Sequence, residues 1–167
     1  MIIHLEPWEY IHATSVGAGR FAANWGKQDA ACYDKARMED DRTAQVAAAI
    51  AELAVAKWLN RYWPGHVWHR SEHARYRDVA DVGQNIEVRR VRTGRGAAVR
   101  RRQLGKGLVL VAAETVPPEF RSVDIWGWVI YDLAWDRGEP SRYDPDNTRT
   151  VTRDVFNPYL PGQVAAV

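Results

Sequence analysis

The residues whose types and spacing could do chemistry lie in Asp81-Val-Gly-Gln-Asn-Ile-Glu87-Val-Arg89. Asp81 stands before a turn, Gly83-Gln84-Asn85, and Glu87 stands near the start of a run, 86–91, that reads as a strand. Arg89 shares the Glu87 face of that strand, while Ile86 and Val88 point the other way, into a core. Two carboxylates at adjacent strand ends can converge on a hard cation such as Mg²⁺ or Mn²⁺, which prefers oxygen ligands. The Val88 backbone carbonyl could add a third. An ion held there would lower the pKa of a bound water and stabilise charge on phosphoryl oxygens. Arg89 would then neutralise a scissile phosphate or its pentavalent transition state.

A third carboxylate, Glu52, belongs to the clearest helix in the chain. Ala44, Ala47, Ile50, Ala51, Ala54, Val55, Trp58 and Leu59 recur at three- and four-residue steps, which predicts an amphipathic helix over residues 42–60. Asp40 or Asp41 can cap its start, and Pro64-Gly65 closes the connection after it. Glu52 lies on a different stripe from Ile50 and Leu53. Surrounding alanines let such a helix approach a sheet closely, so Glu52 can look over the strand ends; the alternative is an exposed helical glutamate.

The remaining elements follow from composition and patterning. Residues 1–40, with Gly17, Gly19 and Gly26, show no sustained period and read as an irregular or partly helical lead-in. Val67-Trp68 and residues 79–82 suggest short strand ends, and 97–101 a further short strand. The unbroken apolar run 108–113 predicts a central strand covered on both faces. Residues 123–131 predict a strand next to it, Pro117-Pro118 separates the two, 150–155 suggests an edge strand, and 157–167 is a loose end. One helix followed by four or five strands gives an α/β fold, a mixed β-sheet with helix cover. With no linker or repeat in 167 residues, a single domain (1–167) is expected.

The net charge of +2 conceals an asymmetry. Lys and Arg against Asp and Glu number 6 against 8 in residues 1–60, 12 against 4 in 61–106, and 5 against 9 in 107–167. The central third thus carries +8, a concentration that favours a polyanion such as DNA or RNA; a solvated basic hairpin is the competing explanation. Arg89, Arg90, Arg92, Arg95, Arg100, Arg101, Arg102 and Lys106 surround the acidic segment and are candidates for phosphate contact, with Gln103 a weaker candidate to orient substrate or water. Arg90 and Arg92 lie opposite Arg89 on the strand, so the set cannot share one groove. The single cysteine, Cys32, excludes an internal disulfide and fits a reducing compartment. With no membrane-length apolar run and no basic leader at the N-terminus, a cytoplasmic protein is expected.

The pattern of Asp81, then Glu87-Val-Arg89, preceded by a helix containing Glu52, resembles the PD-(D/E)XK nuclease superfamily over about residues 42–130. The resemblance implies a restriction-endonuclease-like fold, a four-stranded mixed β-sheet flanked by helices, and a Mg²⁺- or Mn²⁺-dependent nuclease acting on nucleic acid, DNA foremost. Asp81 matches the metal-binding aspartate, Glu87 the second acid, Glu52 the helical glutamate, and Arg89 stands where the family carries lysine. Small phage or prophage proteins of the superfamily share the general look, and homodimers occur among such nucleases. The lysine position is a real departure. Lysine can lose its proton when buried, whereas arginine stays charged and forks between two oxygens. Arg89 therefore fits transition-state stabilisation better than general base catalysis. Two alternatives follow: a catalytically inactive nucleic-acid-binding protein on the same fold, and a structural or protein-interaction factor using its eight tryptophans as an interface.

Other residues carry weaker chemistry. His66, His69 and His73 have spacings that would align on a helix and suit zinc, but Pro64-Gly65 disfavours a helix there. Cys32 has no spaced thiol partner, and Gly94-Arg-Gly96 is too short to cradle a phosphate. Asp124 reads as a functional acid or an acid paired with an arginine. Trp126 and Trp128 are expected on its face, packed or offering a base-stacking platform.

Overall fold

The computed structural model describes residues 1–24, 41–76, 78–116 and 120–159. Cys32, Asp40, Pro117-Pro118, most of the C-terminal tail and the side chains of Asp41 and His73 lie outside the described residues. The elements are β1 (Ile2–His4), α1 (Pro7–Ala23), α2 (Asp41–Leu59), a short α3 (His73–Tyr76), β2 (Ile86–Val91), β3 (Ala97–Arg100), β4 (Val109–Val116), β5 (Ser122–Ile130), α4 (Tyr131–Arg137), β6 (Glu139–Pro140) and β7 (Thr148–Val151). No helix among the described residues is long and apolar enough to cross a membrane.

A four-stranded mixed sheet of order β1-β5-β4-β2 forms the centre. β2 runs parallel to β4, and β5 runs antiparallel to both β4 and β1. The apolar run around Leu110 is the predicted central strand: Leu110, Val111, Ala112 and Ala113 are all fully buried, because both faces of β4 are covered. On one face Val88, Val111, Val123 and Ile125 pack against Ala51, Ala54 and Val55 of α2. On the other, Val91, Leu110, Ala112 and Trp126 meet Val99, Val151 and Tyr131. That second layer is a separate three-stranded ribbon, β3-β7-β6, with α4 beside it. The strand expected at 97–101 therefore belongs to a second sheet, and β7 stops at Val151, where a 3-10 turn, Arg153–Val155, takes over.

Of the N-terminal lead-in, residues 1–24 lie within the described residues, and there the partly helical alternative holds. β1 adds to the β5 edge, and α1 runs for 17 residues. Pro7 opens α1, and Glu9 turns back so that its carboxylate accepts the Glu6 N–H at 2.7 Å. Its inward stripe is Glu9, Ala13, Val16 and Gly17, too small and polar to advertise itself as an apolar period. Gly17 is where the two helices meet: a Cβ there would lie 2.4 Å from the Val46 Cα, so only glycine permits this approach of α1 to α2. Near residues 67–68 no strand forms, and of 79–82 only Val82 makes a β-bridge, to Ile86.

Trp126 and Trp128 fall on opposite faces of the sheet, contrary to the alternation expected of a regular strand. The β4–β5 register slips between Ala112 and Ala113, opposite Gly127, and the bulge places Trp126 with the second core and Trp128 against the first. They do not form a shared platform.

Candidate active site

Asp81 is placed by a tight hairpin closing onto the start of β2. The Asp81 and Val82 N–H groups both donate to the Ile86 carbonyl, at 3.0 and 3.2 Å, and the Ile86 N–H donates back to Val82 at 3.3 Å. Gly83 takes φ 58° in the turn, a left-handed conformation natural to glycine. β2 is the outer strand of its sheet, so every second backbone N–H faces the open edge. The Val88 N–H finds Asp81 there and donates to Oδ2 at 2.8 Å. Within a strand a residue's C=O points to the same side as its N–H, so the Val88 carbonyl opens on this edge too.

Glu87 and Arg89 occupy the face towards the ribbon. Arg89 is held on three sides: Nη1 forms an ion pair with Glu87 Oε1 at 2.5 Å, Nε donates to the Ala98 carbonyl at 3.0 Å, and Nη2 donates to Gln103 Oε1 at 2.9 Å. Gln103 is buried, and its Oε1 also accepts the Tyr131 hydroxyl at 2.8 Å. Tyr131 in turn accepts the Arg100 backbone N–H at 2.7 Å. Burial opposes charge on Arg89, but Glu87, then Tyr131 and Asp81, hold the guanidinium above its ordinary value. Burial pushes the Tyr131 hydroxyl up, keeping it a neutral donor. Gln103 is thus turned inward as the support of Arg89 instead of outward towards solvent.

Glu52 is buried in α2, so the exposed-glutamate alternative does not hold. Its partner is Arg20 of α1: Nη1 donates to Oε1 at 2.6 Å and Nη2 to Oε2 at 2.8 Å. Trp63 Nε1 adds a bond to Oε2 at 3.0 Å, and Arg20 Nε donates to the His66 carbonyl at 2.7 Å. Neither Arg20 nor Trp63 emerged from the sequence. The available signal was an arginine one turn beyond Val16 and Gly17 on the inward stripe of α1.

Asp81 joins these two networks. Its carboxyl is pushed well above the usual aspartate range, first by burial, then by the negative charges of Glu52 and Glu87; Arg89 and the Val88 N–H oppose this. Asp81 thus lies within the electrostatic reach of Glu52, Glu87 and Arg89, residues scattered between positions 52 and 89. Among the described residues no group of three or more His, Cys, Asp or Glu side chains is placed to hold a metal ion. Glu52 is committed to Arg20 and Trp63. Asp81 and Glu87, with the Val88 carbonyl, are the residues that could face a cation; Asp81 Oδ2 accepts the Val88 N–H and Glu87 Oε1 pairs with Arg89.

The basic run extends from β2 through β3 to the 3-10 turn and loop after it. Arg95, Arg101, Arg102 and Lys106 are exposed, Arg92 and Arg100 half-buried. Lys106 pairs with Asp78 at 2.7 Å, and Arg101 Nη1 donates to the Asp146 carbonyl at 3.4 Å. Arg90 lies on the opposite face from Arg89, its Nε donating to Thr115 Oγ1 at 3.2 Å. His66 and His69 are not on a helix: His66 packs against Trp68, and His69 meets Ser71 Oγ at 2.9 Å. Asp124 is the arginine-paired acid, held by Arg153 at 2.6 Å and the chain N-terminus at 3.0 Å. Compared with family models, curated proteins and solved structures, the chain matches none.

Proposed function

We propose that the chain is a metal-dependent nuclease of the PD-(D/E)XK type, on a restriction-endonuclease-like variant of the α/β sheet, hydrolysing phosphodiester bonds in nucleic acid, DNA foremost. The observation that carries this reading is the start of β2, where the Asp81 carboxylate accepts the Val88 N–H at 2.8 Å and Glu87 pairs with Arg89 at 2.5 Å; burial first, and then the charges of Glu52 and Glu87, raise the Asp81 pKa. A concentration of negative charge beside a fixed guanidinium suits a site that takes a cation and an anionic substrate together. Asp81, Glu87 and the Val88 carbonyl would hold Mg²⁺ or Mn²⁺, which when bound supplies an activated water and charge for the phosphoryl oxygens. Arg89, fixed by Gln103 and Ala98, presents a cation to the phosphate; it cannot serve as the base. Glu52, clamped by Arg20, contributes its charge and shapes the wall of the site.

A second reading is a nucleic-acid binder on the same fold that does not cleave. It is favoured by Arg89 itself, which stands in the lysine position with its nitrogens engaged by Glu87, Ala98 and Gln103. Cleavage of labelled single- and double-stranded DNA with Mg²⁺ or Mn²⁺ decides between them, with EDTA and Glu87→Gln as controls. Cleavage lost in both controls supports the nuclease. Binding without cleavage under either metal selects the binder.

A further inference from the structure

The residues that hold Arg89 also build a second polar feature. The backbone leaving β3 passes through a 3-10 turn, Arg101–Gln103. Gln103 swings inward to Arg89, and the Arg100 N–H is fixed by Tyr131. The side chains of Arg100 and Arg102 line a half-open pocket of about 340 Å³, with Asp144, Asn147 and Thr148 on its far wall. The two walls are tied together. Arg100 registers with Thr148 across the β3–β7 ladder, and the Arg101 N–H donates to the Asn147 carbonyl at 2.9 Å.

The chemistry of the lining selects an anion. The exposed Arg102 guanidinium supplies forked donors matched to phosphate oxygens, and Arg100 adds positive charge beside it. The one acid, Asp144, is occupied within its own loop: its carboxylate accepts from Asn147 Nδ2 and Thr148 Oγ1, both at 3.1 Å. The Thr148 N–H is bound to the Asp144 carbonyl at 2.8 Å, which fixes that loop further. Arg102 is exposed, within reach of a large polyanion. The pocket is also linked rigidly to the acidic edge, since Ala98, whose carbonyl holds Arg89, lies two residues along β3 from Arg100, about 7 Å away.

We propose that this pocket is a phosphate subsite that grips a non-scissile backbone phosphate of the nucleic acid whose scissile phosphate lies against Arg89. The proposal rests on the nuclease reading and extends it by fixing the strand's path from the open edge of β2 onto the β3–β7 ribbon. Tyr131, Gln103 and Arg89 form one hydrogen-bonded line beneath that path, so the two phosphates would be held in fixed register.

The test measures affinity for a short labelled DNA strand against salt concentration, in EDTA, for the full chain and for Arg102→Gln, Arg102→Lys and the double variant Arg100→Gln/Arg102→Gln. Removing one arginine–phosphate interaction should reduce the slope of log affinity against log salt by about 1. The expected result is a several-fold loss with Arg102→Gln, a larger one with the double variant, and a slope kept by Arg102→Lys. Unchanged slopes in a wild-type protein that binds and cleaves overturn the pocket and leave the nuclease intact. Reduced slopes in a protein that never cleaves uphold the pocket and reject the enzyme. A wild-type protein with no affinity at low salt overturns both. Equal thermal midpoints across the variants establish that the differences are not due to unfolding.

Discussion

Arg20 on α1 meets both carboxylate oxygens of Glu52 on α2, at 2.6 and 2.8 Å, and so binds the N-terminal helix to the wall of the acidic site. Both side chains are largely withdrawn from water. A buried pair of this kind is expensive to break from one side, because the remaining charge has lost its partner without regaining solvent. Arg20→Met is expected to destabilise the protein by about 3 kcal/mol. Arg20→Met/Glu52→Leu should recover most of that loss. Urea unfolding of the two variants and the parent checks this, and equal losses in the single and double variants would contradict it.

Asp81 gives stability an unusual pH dependence. Folding raises its pKa, so the folded state holds the proton more tightly than the unfolded chain. Stability from this group is therefore full below the ordinary value of 3.8 and is lost as pH rises through the higher folded-state value. Asp81→Asn removes the penalty. In EDTA, the variant's stability relative to the parent should grow as pH rises from about 4 towards neutrality. A difference that stays flat or shrinks over that range would falsify the assignment.

A divalent cation at Asp81 and Glu87 would relieve the same crowding of negative charge. Mg²⁺ or Mn²⁺ should raise the thermal midpoint of the parent by mass action. Asp81→Asn and Glu87→Gln should each lose that increment, whereas Asp124→Asn, on β5 and paired with Arg153, should keep it. An increment of the same size in all four proteins would place the ion elsewhere.

Gln103 accepts from both Arg89 and Tyr131, so Gln103→Leu leaves two buried donors without their acceptor. A loss of about 2–4 kcal/mol in unfolding free energy is expected. If cleavage is established, the variant should also lower kcat more than it raises KM, because Arg89 would lose its orientation more than the strand loses its grip. Unaltered kinetics in a folded variant would remove Gln103 from that role.

Gly17→Ala tests the packing between the helices. Alanine favours a helix by about 1 kcal/mol over glycine, yet its Cβ would sit 2.4 Å from the Val46 Cα. The backbone cannot yield as a side chain would, and a net destabilisation of about 2 kcal/mol or more is expected. A thermal midpoint unchanged or raised would show that α1 and α2 can separate freely.

The elements legible in the sequence are those whose signal is local. α2 announced itself by three- and four-residue apolar steps, β4 by an unbroken apolar run, and β2 and β5 by strand-forming residues between turns. The face shared by Glu87 and Arg89 followed from the two-residue period of a strand. The candidate acids could be named because turn chemistry around Gly83 is equally local. α1 was legible only as a partly helical lead-in, because its inward stripe, Glu9, Ala13, Val16 and Gly17, is largely small or polar and serves closeness to α2 more than hydrophobicity.

By itself, then, the sequence determined the main helix, the principal strands and the chemical types brought to one edge, since periodicity and turn preference act within a few residues. Only the tertiary structure decided the partners. Arg20 reaches Glu52 from 32 positions away, Gln103 reaches Arg89 from 14, and the bulge opposite Gly127 turns Trp126 and Trp128 apart. The physical reason is that a buried charge or amide takes whichever partner packing brings within about 3 Å, and no spacing along the chain encodes that.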